Sequence, residues 1–231
     1  MRPISIVLAA AFFLVAHPSA EANLLVNAGF ETVVPIPLGM PDGFGYWGYD
    51  PGQIVGPSNG ITPFEGNGML EFVATNHEAG GLSCGIWQLV DLSNYGDLIQ
   101  SGRAVASVSA LFNRVSGDSQ TDTQFALYLR IEGSSTISPD LIAGQELMSD
   151  GDPNTWEGAS VGLSLPTDIG AGYLAVLLLA RENVFDDHVF GQEFDGHYAD
   201  AVNLTITPEP STALLLMLAG SLGVRRRRQS G

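Results

Sequence analysis

The sequence predicts an all-β body, an antiparallel β-sandwich, between a removable leader and a short apolar tail. Three observations carry that expectation. Apolar and polar residues alternate with period two over several stretches, which places one face of a strand against a core. Clusters of Gly, Pro, Asp and Ser separate those stretches, and such clusters make turns. Helical periodicity is scarce, so the strands must bury their apolar faces against one another.

The first 22 residues read as a signal peptide. Arg2 supplies one positive charge, residues 4–16 are apolar, and Ala20-Glu21-Ala22 is a small-residue cleavage site. The apolar run falls short of the roughly 20 residues that a membrane span takes. Cleavage after Ala22 leaves Asn23 at the mature N-terminus.

The body is expected over residues 23–206. Residues 104–112 put Ala104, Ala106, Val108, Ala110 and Phe112 on one face. Residues 125–132 put Phe125, Leu127, Leu129 and Ile131 inward and Arg130 and Glu132 outward. Residues 161–165 and 202–207 repeat the alternation. Residues 173–180 are apolar throughout and only eight long, which reads as a central strand buried on both faces. Pro41-Asp42-Gly43, Ser58-Asn59-Gly60 and Asp150-Gly151-Asp152-Pro153-Asn154 are among the turn clusters between them.

The remaining segment, 207–231, holds Pro208-Glu209-Pro210, an apolar stretch over 213–224, and Arg225, Arg226, Arg227 and Arg228. Four consecutive arginines stay on the cytoplasmic side, so the apolar stretch is expected to hold the tail in the bilayer as a short transmembrane helix. The prolines cannot continue a helix, which leaves an extended, accessible backbone ahead of it.

Charge excludes one class of partner. The chain has 25 acidic residues against 9 basic ones, all arginine, for a net charge of −16. Five of those arginines lie in the two ends, whereas only Glu21 and Glu209 of the acids do, so the body is more acidic still. Phosphate backbones are repelled by such a surface, and nucleic-acid binding is not expected. Cys84 stands alone, so no intramolecular disulfide forms; a buried, inert thiol is expected.

The triplet, apolar stretch and arginine cluster, in that order at the C-terminus, resemble the PEP-CTERM sorting signal of Gram-negative bacteria. That resemblance implies recognition and cleavage by an exosortase, a host that makes exopolysaccharide, and delivery to the cell surface or matrix. The body carries a second resemblance. Asn23-Leu24-Leu25-Val26-Asn27-Ala28-Gly29-Phe30-Glu31 is similar to the opening of galactose-binding-like jelly rolls, which include many carbohydrate-binding modules. Trp47, residues 65–72, Gly85-Ile86-Trp87-Gln88 and Asp200-Ala201-Val202-Asn203-Leu204 resemble their later pieces in order.

The jelly-roll resemblance implies a structural calcium ion held by Glu31 of an opening strand and Asp200 of the closing strand. Calcium takes six to eight oxygens, and carbonyls of the Glu65-Gly66 turn are the expected supplement. Trp47 and Trp87, at the resembled strand positions, are expected in the core. Tyr46, Tyr49 and Trp156, set among Gly and Asp, are the candidates for an exposed platform that stacks on sugar rings. The segment from Asp186 to His197, with its acids and two histidines, reads as a solvated loop. Asp150-x-Asp152-x-Asn154 begins like a calcium loop but departs from it at Thr155 and Val161. Neither a G-x-S-x-G elbow nor an H-E-x-x-H helix is present. The reading is a noncatalytic, glycan-binding protein of the surface or extracellular matrix. A purely structural matrix protein and a glycan-active hydrolase are the alternatives.

Overall fold

The structure is a computed structural model that describes residues 22–75, 82–117, 122–132, 142–169, 172–182 and 196–209. Ten strands form two five-stranded antiparallel sheets. Sheet I has the order β1 (Trp47–Tyr49), β4 (Ser83–Val90), β9 (Tyr173–Glu182), β6 (Thr123–Glu132), β7 (Ile142–Met148). Sheet II has the order β2 (Gln53–Val55), β3 (Met69–Glu71), β10 (His197–Pro208), β5 (Ala104–Arg114), β8 (Glu157–Ser164). The sandwich is a jelly roll. The one α-helix among the described residues is a single short turn, Gly96–Gln100.

The alternation of the strands sets the layers. Inward residues of β5, β6, β9 and β10 form one core, in which Phe112 stacks on Phe125 across the two sheets at 5.0 Å. The all-apolar stretch at 173–180 is β9, the middle strand of sheet I, as its double-sided apolarity predicts. A smaller cluster of Ile61, Met69 and Tyr198 lies apart. Met69 and Tyr198 alternate with the core residues Leu70 and Ala199, so this cluster sits on the outer face of sheet II, roofed by the loop over residues 56–67.

One expectation needs correction, and three further features were not read from the sequence. The opening segment 23–31 is not a strand; it is irregular, with Asn27 and Phe30 in left-handed conformation at φ 51° and 53°. Residues 65–72 supply the three-residue β3. The segment near 142–148, which carries no strong pattern, is the edge strand β7, exposed along most of its length. Strand β10 runs on through Thr207 and Pro208, pairing with Val105 and Ala104, so sheet II reaches two residues into the segment assigned to the tail. Among the described residues, no helix is long and apolar enough to cross a membrane. The signal peptide, Pro210, the apolar stretch and Arg225 to Arg228 lie outside the described residues.

Candidate functional site

The irregular opening is held by side-chain amides that stand in for a strand. Asn23 donates from Nδ2 to Val202 O at 2.7 Å and accepts from Leu204 N at 3.0 Å, so its amide pairs with β10 as a peptide group would. Gln88 of β4 does the same for Val26, accepting its N–H at 2.8 Å and donating to its carbonyl at 2.9 Å. Asn27 closes a third such ring with Thr32. Asn23 and Gln88 therefore fasten the opening segment to β10 and β4, one strand in each sheet, and Asn27 closes its turn.

Glu31 and Asp200 reach the same loop but different ends of it. The Glu31 carboxylate accepts from Asn67 N and Gly68 N. The Asp200 carboxylate accepts from Phe64 N at 2.8 Å, Glu65 N at 3.2 Å and Ala201 N at 2.7 Å. A β-bulge with Ala201 at φ 50° aims Asp200 under the loop. It is fully buried, with no salt bridge among the described residues, and that burial pushes its carboxyl up to about 6, with Glu65 adding to the rise. Among the described residues no group of three metal-ligating side chains converges.

The aromatic candidates separate. Tyr46 is half-buried, its hydroxyl tied to Asp42, and it lines a separate open depression with Val34, Pro35 and Pro37. Tyr49 is 44% exposed. It pairs with Ile86, a core residue, yet its ring lies edge-on to Trp87 at 6.4 Å. Its φ of 126° accounts for this, because a regular strand would send the ring inward. Trp47 is in the core, packed on Phe30, as expected. Trp87 is not: it alternates with the buried Ile86 and Gln88 and is half-exposed on the outer face of sheet I.

Tyr49 and Trp87, with Met40, Tyr173, Arg130 and Glu132, line an open depression of about 330 Å³ on that face. Arg130 Nε meets Glu132 Oε1 at 2.8 Å, which fixes two polar side chains beside the rings. Next to it, Tyr128 lies over Gly144, where a Cβ would come within 2.2 Å of the ring. The surface is thus aromatic and apolar, with a polar margin. Sequence reasoning missed Trp87, although period two along β4 marks it as outward once Cys84, Ile86 and Gln88 are placed inward.

The acidic segment before β10 lies outside the described residues except at its end. There the solvated-loop expectation fails for His197, which is fully buried at the start of β10. Its Nε2 is 2.9 Å from Glu182 of β9, and its Nδ1 is 3.0 Å from Thr75 Oγ1. Trp156 is half-buried, packed beside the Ile61 cluster and edge-on to Phe64 at 6.4 Å. Cys84 is buried as expected, and burial pushes its thiol up to about 12.

Comparison with known proteins decides the tail. Residues 207–229 match the PEP-CTERM protein-sorting motif. This chain ends in a PEP-CTERM sorting segment. No curated protein matches the chain. Similar solved structures include TmCBM61 in complex with beta-1,4-galactotriose, at 15% identity and TM-score 0.47 over 80% of this chain and 98% of that one. A Stig cyclase from Fischerella sp. TAU matches at 16% identity and TM-score 0.49 over 83% and 100%. Family 16 Carbohydrate Binding Module-2 matches at 16% and 0.45 over 79% and 99%.

Proposed function

We propose that this is an exported cell-envelope protein, sorted by an exosortase through its PEP-CTERM tail, whose sandwich binds glycan without catalysis on the outer face of sheet I. The observation that carries the reading is the exposed Tyr49–Trp87 pair beside Tyr173, Arg130 and Glu132. A pyranose ring has an apolar C–H face that stacks on aromatic rings and an equatorial rim of hydroxyls that needs hydrogen-bonding partners. The depression offers both within about 330 Å³, the low end of ligand-site sizes. Left-handed backbone at a bulky residue costs on the order of 1–3 kcal/mol, and at Tyr49 it serves to turn a ring outward. The one carboxylate among the described residues that line the depression, Glu132, is engaged by Arg130, whereas glycoside hydrolysis needs two facing carboxyl groups. The sorting segment supports delivery to a surface or matrix rich in exopolysaccharide.

A structural calcium ion between Glu31 and Asp200 is the second part of the proposal. Its support is the buried, unneutralised Asp200 carboxylate and the convergence of both acids on residues 64–68. These residues, with nearby carbonyls, suit a hard cation. Calorimetric titration with calcium chloride at pH 7 tests it: saturable binding lost in Asp200→Asn supports the ion, and no heat in wild type overturns it. The glycan site is tested by retardation of the protein in native gels cast with the producing cell's exopolysaccharide, where wild type slows and Tyr49→Ala runs faster.

A further inference from the structure

We infer that the chain carries a second site for a neutral pyranose, built by Phe64 and Trp156 on the outer face of sheet II, which rests on the reading that the sheet I face also binds glycan. Phe64 is 56% exposed, yet the chain around it is pinned. Its own N–H and that of Glu65 bond to Asp200. Ser58 and Ile61 exchange hydrogen bonds of 3.0 and 2.8 Å across a turn with Asn59 at φ 50° and Gly60 at φ 84°, the positive-φ pair of a tight hairpin turn. Asn59 Nδ2 donates to the Tyr198 hydroxyl at 2.9 Å. A ring so held stays in water by construction of the loop.

Trp156 stands at 69° to Phe64, and the cluster of Ile61, Met69 and Tyr198 backs it. The two rings make a corner in an open cavity of about 450 Å³ that also takes Thr62, Pro153 and Asn154. Asp152 Oδ1 accepts from Asn154 N at 3.0 Å and Nδ2 at 2.8 Å, fixing that amide. The corner therefore pairs two apolar ring faces with a hydroxyl and an amide. Among the described residues no charged side chain lines it, and Asp150 and Asp152 stand close by in sequence, so a neutral sugar suits it better than a uronate.

The two sites lie on opposite outer faces. Tyr198 and Met69 point away from the core of sheet II, as Trp87 does from sheet I. Sheets pack about 10 Å apart, and side chains add to that, so one short oligosaccharide cannot occupy both. A chain with both sites cross-links two glycan strands.

The test uses the protein ending at Glu209, which contains every strand of both sheets, titrated calorimetrically with gluco-, galacto-, xylo- and manno-hexasaccharides. The expected result is two sites per chain for the hexasaccharide that binds, reduced to one by Trp87→Ala and to one by Trp156→Ala. Phe64→Ala, at an exposed ring, repeats the second loss with an unchanged melting temperature. Wild type also gels or clouds the parent polysaccharide, and either single loss abolishes that. One site per chain, removed by Trp87→Ala and untouched by Phe64→Ala and Trp156→Ala, overturns this inference and leaves the sheet I reading standing. One site removed by Phe64→Ala and untouched by Trp87→Ala overturns the sheet I reading instead. No binding by wild type overturns both.

Discussion

Asp200 is a carboxyl group held out of water, its oxygens bonded to the backbone N–H groups of Phe64, Glu65 and Ala201. Burial raises its folded value to about 6, above the roughly 3.9 of an unfolded aspartate. The folded state then holds its proton more tightly than the unfolded state, so this group favours folding most below pH 4. That advantage fades as pH rises through 6. Urea unfolding between pH 4 and 7 should show a fall of about 1–3 kcal/mol in wild type that Asp200→Asn lacks. A calcium ion at this position would reverse the trend, since it stabilises the ionised form. Cys84 makes a second residue-scale case. Its sulfhydryl donates to Pro51 O at 3.3 Å inside the core, and the thiolate is the reactive form. Iodoacetamide at pH 8 should leave it unmodified in the folded protein and alkylate it in 6 M guanidinium.

Strands β9 and β10 belong to different sheets, and the Glu182–His197 pair joins them at one end of the sandwich. Both side chains are sealed from solvent. Removing Glu182 takes one buried partner from His197, which keeps Thr75 and Thr123, and loss of such a buried hydrogen bond costs about 1–3 kcal/mol. Glu182→Ala should lower stability by that order in chemical denaturation while leaving the sheet I depression intact. The opening segment depends on its amides in a similar way. Gln88→Ala leaves the Val26 N–H and carbonyl without partners and should cost roughly 1–3 kcal/mol, read as a drop in melting temperature. At this scale the sequence was legible where period two is strong, as in β5, β6 and β10, whose inward residues all lie where alternation puts them. It was not legible at residues 23–31, where a strand-like pattern hides a turn closed by side chains. Nor was it at β7, an edge strand with few buried positions and so little apolar signal. His197 escaped because its partner comes from Glu182, on a strand of the other sheet, and no local pattern records such a meeting.

At the scale of the whole molecule, an acidic sandwich with two outward aromatic surfaces is joined directly to a sorting tail. Sheet II ends at Pro208, and Glu209 N donates to Arg103 O, so the sorting triplet begins at the rim of the fold. Both resemblances read from sequence concern this level: the tail is matched by residues 207–229, and the body folds as the expected jelly roll. The outer face of sheet I was only half legible. Tyr49, Arg130 and Glu132 were placed outward from sequence, but Trp87 was assigned to the core because it sits at a strand position of the resembled jelly rolls. The central claim is that this face holds glycan. The most direct measurement is the affinity of the producing cell's exopolysaccharide for wild type and for Trp87→Ala, by calorimetric titration, with circular dichroism to verify folding. Stacking on a half-exposed indole predicts saturable, sugar-competed binding that weakens at least about tenfold, roughly 1.4 kcal/mol, in a variant that folds normally. Equal affinity in the two proteins, or none in wild type, would contradict it.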